Sequence, residues 1–96
     1  MDLEFSGEII HWRGPAPFLF VPLPPDPREA VREVRREATY GWGVIPVTAR
    51  IGETTFTTSL FPRDGGYLLP VKVAVQRAEG IGLGDEVSVR MAIDLG

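Results

Sequence analysis

Few residues of this chain have the chemistry that catalysis or metal binding requires. The 96 residues contain one histidine, His11, and no cysteine. A hydroxyl nucleophile needs a neighbouring base, and Ser59 lacks the glycine-flanked context of a nucleophile elbow. His11 beside Trp12 at a predicted strand end is typical of a structural or surface residue. We therefore expect no catalytic residue, no metal and no cofactor, with an enzyme that uses His11 or Ser59 as the weakest alternative.

Cations interleaved with aromatic side chains form the main candidate for a binding surface. The candidate ligand-binding residues are Trp42, Ser59, Arg63, Tyr67 and Lys72, with Trp12 and Arg13 as neighbours on the same predicted surface. Such a combination can bind an anion or stack against a base. The alternative is that Trp42 and Tyr67 cover the ends of the fold, while Arg63 and Lys72 are solvated charges.

The charge distribution limits the partners of this surface. The formal net charge is −3, but residues 44–78 form a net-positive stretch that includes Arg63 and Lys72. A net-acidic chain is a poor general binder of nucleic acid, although a local patch can still bind a phosphate backbone. We therefore expect a small anionic ligand or an acidic protein surface as the partner, with nucleic acid less favoured.

Apolar patterns predict six strands that would hold these side chains: most alternate, whereas the run at 18–21 does not and predicts a strand buried on both faces. The predicted strands cover 3–12, 18–21, 45–51, 54–61, 67–69 and 86–95. Two-residue periodicity is clearest in the last of them. Gly7 inside the first strand indicates a bulge or a close neighbour. Gly52-Glu53 fits a two-residue hairpin turn, and the glycines after Asp64 fit a second turn.

Two short helices are predicted between the strands. Asp26 is predicted to cap the first helix, with Pro27 at its first helical position and its end near residue 38. Three arginines of this helix, Arg28, Arg32 and Arg36, form a stripe that we expect to be solvated beside a glutamate stripe. A change of period predicts a second helix that begins at Pro70 and ends at Gly80.

These elements predict a mainly β protein, a small six-stranded β-barrel capped by two short helices. A chain of 96 residues is expected to form one domain, over residues 1–96. No apolar run is long enough to span a bilayer, and the acidic start of the chain is unlike a signal peptide. We expect a cytoplasmic protein without membrane contact, either a monomer or a weak homodimer.

Four motifs resemble one known family over nearly the whole chain. They are Phe-Ser-Gly-Glu-Ile at 5–9, Gly-Trp-Gly through Pro-Val at 41–47, residues 58–62 with 65–72, and residues 78–80 with 84–87. Together they resemble the domain-of-unknown-function family nineteen-oh-five. The resemblance implies a double-split β-barrel. Members of that family occur alone or joined to a YdeI/OmpD-associated domain, which is linked by name to bacteriocin protection. The family brings no established activity, cofactor or catalytic residue.

A shorter resemblance covers the last third of the chain. Leu69-Pro70, a short helix, Gly80-Ile81 and the stretch 84–89 look like the AbrB/MazE type of DNA-binding regulators and antitoxins. In those proteins two chains build a related barrel, and the DNA-binding face is basic. This chain differs in its net negative charge and in being long enough to close a barrel alone. A DNA-binding transcriptional regulator or antitoxin-like protein is therefore the alternative function.

Overall fold

Strands dominate the structure. The computed structural model describes residues 1–13, 16, 18–38 and 44–93. Within them lie seven strands, namely β1 (Asp2–Glu8), β2 (Ile10–His11), β3 (Leu19–Pro22), β4 (Ile45–Ile51), β5 (Thr54–Arg63), β6 (Gly66–Pro70) and β7 (Glu86–Ile93). The same residues contain two helices, α1 (Pro25–Ala38) and α2 (Val73–Glu79). The predicted mainly β composition with two helices is confirmed for this part of the chain.

The strands form one curled antiparallel sheet that resembles half a barrel. Its strand order is β1-β7-β4-β5-β6-β3-β2. The edge strands β1 and β2 are consecutive in the chain, with Ile9 alone between them. Because one residue joins the two edges, the sheet has to curl. The apolar side chains of alternating positions point to the inside of the curl, where Ile9, Val21, Ile45 and Leu60 are fully buried.

The predicted number of six strands is wrong, because the first predicted strand is divided at Ile9. The amide of Ile9 donates to the carbonyl of Asp85 at 2.8 Å, and its carbonyl accepts from the amide of Gly84 at 2.9 Å. From Ile10 onward the chain pairs with β3 instead of β7. Side-chain alternation reports which face a residue occupies and does not report which strand it pairs with. The division is therefore invisible in the periodicity.

Of the two alternatives for Gly7, the close neighbour is confirmed. Gly7 pairs with Val87 in a continuous register, so β1 has no bulge at this point. A Cβ atom on Gly7 would lie 2.8 Å from Cγ1 of Val21 and 3.3 Å from the carbonyl oxygen of Pro22. Strand β1 thus crosses β3 at a distance that excludes a side chain at residue 7.

Both helices begin at residues other than those predicted. The amide of Arg28 donates to the carbonyl of Pro24 at 2.9 Å, so α1 starts at Pro25 and Asp26 lies in its first turn. The first amides of a helix have no partner inside it, which is why Pro25 and Pro27 are both tolerated there. Pro70 does not begin α2, because it still pairs with Phe20 as the last residue of β6.

The second helix ends as predicted and faces the core with few residues. Lys72 is the residue before its first turn, and Gly80 ends it with a left-handed φ of 63°. Val75 is buried, whereas the side chain of Val73 is 45% exposed. That difference agrees with helical spacing and excludes the alternative strand in which both valines would face one side.

Candidate functional site

The hairpin between β5 and β6 places Arg63 at one end of the sheet. Arg63 is the last residue of β5 and lies opposite Gly66, the first residue of β6. The two residues between them, Asp64 and Gly65, have φ values of 50° and 78°. Positive φ at both central positions is the signature of a type I′ turn, in which Asp-Gly is a favoured pair. The predicted second turn is confirmed, and its geometry holds Arg63 at the last rung of the ladder.

Arg63 stacks on the indole of Trp12. The guanidinium carbon lies 4.9 Å from the centroid of the Trp12 ring. The ring is held from another side by Phe20, whose centroid is 5.4 Å away in an edge-on arrangement of 64°. The amide of Trp12 also donates to the carbonyl of Phe18 at 3.0 Å. Two residues that the sequence placed on one predicted surface are therefore brought into contact.

The stacked guanidinium keeps part of its hydrogen-bonding edge accessible. The side chain of Arg63 is 36% exposed, and its Nε lies 3.4 Å from a carboxylate oxygen of Asp64. A guanidinium held over an aromatic ring has lost part of its conformational freedom before any ligand arrives. Its N–H groups radiate in the plane of the group, so the edge can still bind a carboxylate or a phosphate.

Arg28 of α1 approaches the same hairpin from the side. Its Cδ lies 3.1 Å from the point where a Cβ on Gly66 would be, so the absence of a side chain at Gly66 makes room for it. The Nε atom of Arg28 is buried and has no hydrogen-bond partner. The nearest carboxylate oxygen, on Glu29, lies 3.6 Å away.

Sequence reasoning placed Arg28 in a solvated stripe and missed this contact. Its side chain is 37% exposed, whereas that of Arg32, one turn further along α1, is 45% exposed. The helix pattern alone cannot distinguish the two arginines. The signal in the sequence is the glycine at position 66. The structure gives it no positive φ, so the turn does not require glycine there, and a Cβ at this position would meet the side chain of Arg28.

The other candidate residues are separated from this hairpin end or buried beneath it. Tyr67 is 7% exposed and belongs to the hydrophobic core, and its carbonyl accepts from the amide of Leu23 at 3.0 Å. Lys72 is exposed before α2. Ser59 is half-buried on the outer face of β5, opposite Pro46. Trp42 lies outside the described residues.

The two residues considered for catalysis, His11 and Ser59, do not lie on neighbouring strands. His11 is exposed at the end of β2 and lies opposite Leu19. Ser59 lies in β5, and the strands β6 and β3 come between β5 and β2 in the sheet. Among the residues that the structure describes, no group of three or more histidine, cysteine, aspartate or glutamate side chains could hold a metal ion. The helices of this part are too short and too polar to cross a membrane.

A family model described as a domain of unknown function (DUF1905) matches residues 5–91 of this chain. The matched region runs from β1 to β7 and includes Trp12, Arg28 and Arg63. No curated protein matches the chain.

Proposed function

This chain belongs to the DUF1905 family of domains of unknown function, and from that premise we propose that it is a non-catalytic binding module. The module binds an anionic group, carried by a small molecule or by an acidic protein surface, at the end of the sheet where Arg63 lies. The proposal does not come from the family, whose description assigns no activity.

The stack of Arg63 on Trp12 is the observation that carries the proposal. A free arginine side chain loses about 2 kcal/mol of rotamer entropy when it is immobilised. The contact at 4.9 Å restricts the rotamers of this side chain in the unliganded chain. A ligand that binds the exposed edge therefore meets a donor that is already oriented, and preorganisation of this kind raises affinity.

Arg28 strengthens the positive character of the same end. Gly66 lies opposite Arg63 in the ladder, and the side chain of Arg28 passes over Gly66. The buried Nε of Arg28 makes no hydrogen bond, and the carboxylate of Glu29 at 3.6 Å compensates only part of its desolvation. Phe18 is 47% exposed beside Trp12, so an apolar part of a ligand has a surface to contact.

A finer description of the fold belongs with this proposal. We propose that the curled sheet is the double-split β-barrel that the family resemblance implies. The pairing of β5 supports this, since β5 pairs with β4 up to Leu60 and with β6 only from Phe61 onward. Helix α2 contacts β5, and helix α1 contacts β1 and β4. An experimental structure tests whether these helices fill the two splits.

The function is tested by following backbone amide NMR signals of the labelled protein during titration. The probes are inorganic phosphate, a short glutamate peptide and mixed-sequence duplex DNA, each at low salt. We expect saturable shifts at Trp12, Arg63 and Gly66 with phosphate or the peptide. The Arg63→Ala variant should weaken binding at the hairpin, followed at Trp12 and Gly66, at least about tenfold, which corresponds to about 1.4 kcal/mol.

Two further variants test whether binding depends on the guanidinium group of Arg63 or on positive charge alone. Arg63→Lys keeps the charge and loses the planar fork, so it should also weaken binding. Arg77→Ala removes an exposed arginine of α2 and should change nothing, which makes it the matched control. Equal losses for Arg63→Ala and Arg77→Ala, or no saturable shift at Trp12 with either anionic probe, would overturn the proposal. Shifts that appear only with DNA and vanish steeply with salt would favour the DNA-binding alternative.

A further inference from the structure

A second pair of arginines lies on the outer face of the sheet, away from the hairpin that carries Arg63. The strand registers place Glu4 of β1 opposite Arg90 of β7, Arg90 opposite Arg50 of β4, and Arg50 opposite Thr55 of β5. These four side chains form one row across four strands. The two arginines are its central members, so no acidic residue of this row lies between them.

Such a pair is electrostatically unfavourable by itself. The Cβ atoms of directly opposite residues in an antiparallel pair are about 4.5–5.5 Å apart, and like charges at that separation are destabilising. Each guanidinium has a partner on the side that faces away from the other. Nε of Arg90 lies 2.6 Å from a carboxylate oxygen of Glu4, and Nε of Arg50 donates to the carbonyl of Gly52 at 2.9 Å.

These contacts do not use all five N–H donors that each guanidinium has. The Glu4 contact engages Nε of Arg90, so the two terminal amino groups of Arg90 remain as donors. One terminal amino group of Arg50 lies 3.6 Å from a carboxylate oxygen of Glu53, whose side chain is 93% exposed. An exposed pair at that distance contributes little and is easily exchanged for a stronger acceptor.

An open groove of about 640 Å³ runs beside this pair. Its polar lining consists of Glu4, Ser6, Arg50, Ser88 and Arg90. Ser6 lies opposite Ser88, and their hydroxyl oxygens are 3.3 Å apart. When one hydroxyl donates to the other, the second keeps its own hydrogen for a ligand. The groove therefore combines two guanidinium groups with a hydroxyl donor.

We propose that this groove is an oxyanion site that binds a phosphate group between Arg50 and Arg90. A phosphate has enough acceptor oxygens to take hydrogen bonds from both guanidinium groups at once, in place of the weak contact between Arg50 and Glu53. Charge-assisted bonds from guanidinium to phosphate are among the strong hydrogen bonds of proteins. Binding gives the two opposite cations a shared anion, which lowers the repulsion between them, and the serine pair supplies a further donor.

The first test is a double-mutant cycle on Arg50 and Arg90, measured in two salts. The free energy of unfolding is determined for the wild type, Arg50→Gln, Arg90→Gln and the double variant. One series uses sodium chloride and the other inorganic phosphate at equal ionic strength. We expect the coupling between the two arginines to be destabilising in chloride and to become stabilising in phosphate. An identical coupling in both salts would overturn the proposal.

The second test is a phosphate titration with several variants, with acetate as the carboxylate probe. Arg50→Gln and Arg90→Gln should each weaken phosphate binding at least about tenfold, since each removes charge-assisted hydrogen bonds. Glu4→Gln removes the competing carboxylate and should tighten binding several-fold. Arg77→Gln is the control and should leave the affinity unchanged.

The results of these two tests do not depend on whether the hairpin at Arg63 binds an anion. Arg63→Ala should leave phosphate binding in the groove intact, as followed at the amide of Ser88. Tighter binding of acetate than of phosphate would contradict the assignment of a phosphate site. If the chemical shifts changed linearly with phosphate concentration and as much at Arg77 as at Arg90, the effect would be ionic screening, and the proposal of a phosphate site would be overturned.

Discussion

The carboxylate of Glu79, near the end of α2, occupies the space that a side chain at Gly52 would need. A Cβ on Gly52 would lie well inside van der Waals contact with Oε1 of Glu79. The other carboxylate oxygen, Oε2, accepts a hydrogen bond from the hydroxyl of Thr54 at 2.5 Å. The end of α2 is thereby fastened to the turn between β4 and β5. That turn also lies at the edge of the groove beside Arg50.

The Gly52→Ala variant should therefore lose stability for two reasons. Gly52 has a φ of +59°, where a residue with a side chain is destabilised by about 1–2 kcal/mol. Displacing the Glu79 carboxylate from Thr54 should add about 1 kcal/mol. The Gly80→Ala variant has a similar φ of +63° with nothing within 4 Å, so it should show the φ effect alone. Urea unfolding of both variants measures the difference, and equal losses would contradict the steric part.

The crossing of β1 over β3 predicts a second sensitive glycine. Gly7→Ala should destabilise the protein by about 1–3 kcal/mol, because the added methyl group would overpack against Val21. Gly82→Ala is the matched control, since nothing lies within 4 Å of its Cβ position and its φ is not positive. Denaturant unfolding that gave the same small change for both variants would show that the crossing tolerates a side chain.

Phe18 should behave unlike most large apolar residues. Its φ of 67° is a left-handed conformation, and its side chain is 47% exposed. Replacement by glycine should relieve about 1–2 kcal/mol of backbone strain, which offsets the apolar contacts that are lost. We expect Phe18→Gly to change the free energy of unfolding by less than about 1 kcal/mol, well below the usual effect of deleting a buried aromatic ring. A loss typical of a buried ring would contradict this interpretation.

Replacement of Arg28 should have different effects on the stability of the protein and on ligand binding. Its Nε is buried without a hydrogen-bond partner, and its aliphatic part packs over Gly66. Arg28→Met keeps the packing and removes a buried donor that makes no hydrogen bond, so it should leave stability unchanged or raise it by about 1 kcal/mol. The same variant should weaken binding of the glutamate peptide at Arg63. Arg32→Met, on the more exposed arginine, is the control and should change neither quantity by a measurable amount.

Local features of the fold were predictable from the sequence. The alternation in β4 and β7, the turn at Gly52 and the turn at Asp64-Gly65 depend on neighbouring residues, and the structure has all of them. The positive φ at Gly80 likewise ends α2 where the residue order predicts. Such features follow from backbone sterics and from the two periodicities of side-chain direction, which act over a few residues.

The candidate site was predictable only in part. Arg63 and Trp12 were named on chemical grounds, but their contact joins residues 51 positions apart in the chain (63 − 12). Tyr67 shares the polar and aromatic character of the predicted surface, yet its side chain lies in the core. Residue type describes what a side chain can do, and it contains no information on which distant residue lies beside it.

The sequence by itself determined the mainly β class, most strand and turn positions and the scarcity of catalytic groups, because these depend on composition and short-range order. Only the tertiary structure decided that the first strand divides at Ile9, that Arg28 reaches the hairpin and that Arg50 faces Arg90. These three relationships depend on which strands and helices become neighbours. That choice is made by long-range hydrogen-bond pairing and by burial of the whole core, to which no single stretch of sequence contributes enough to be decisive.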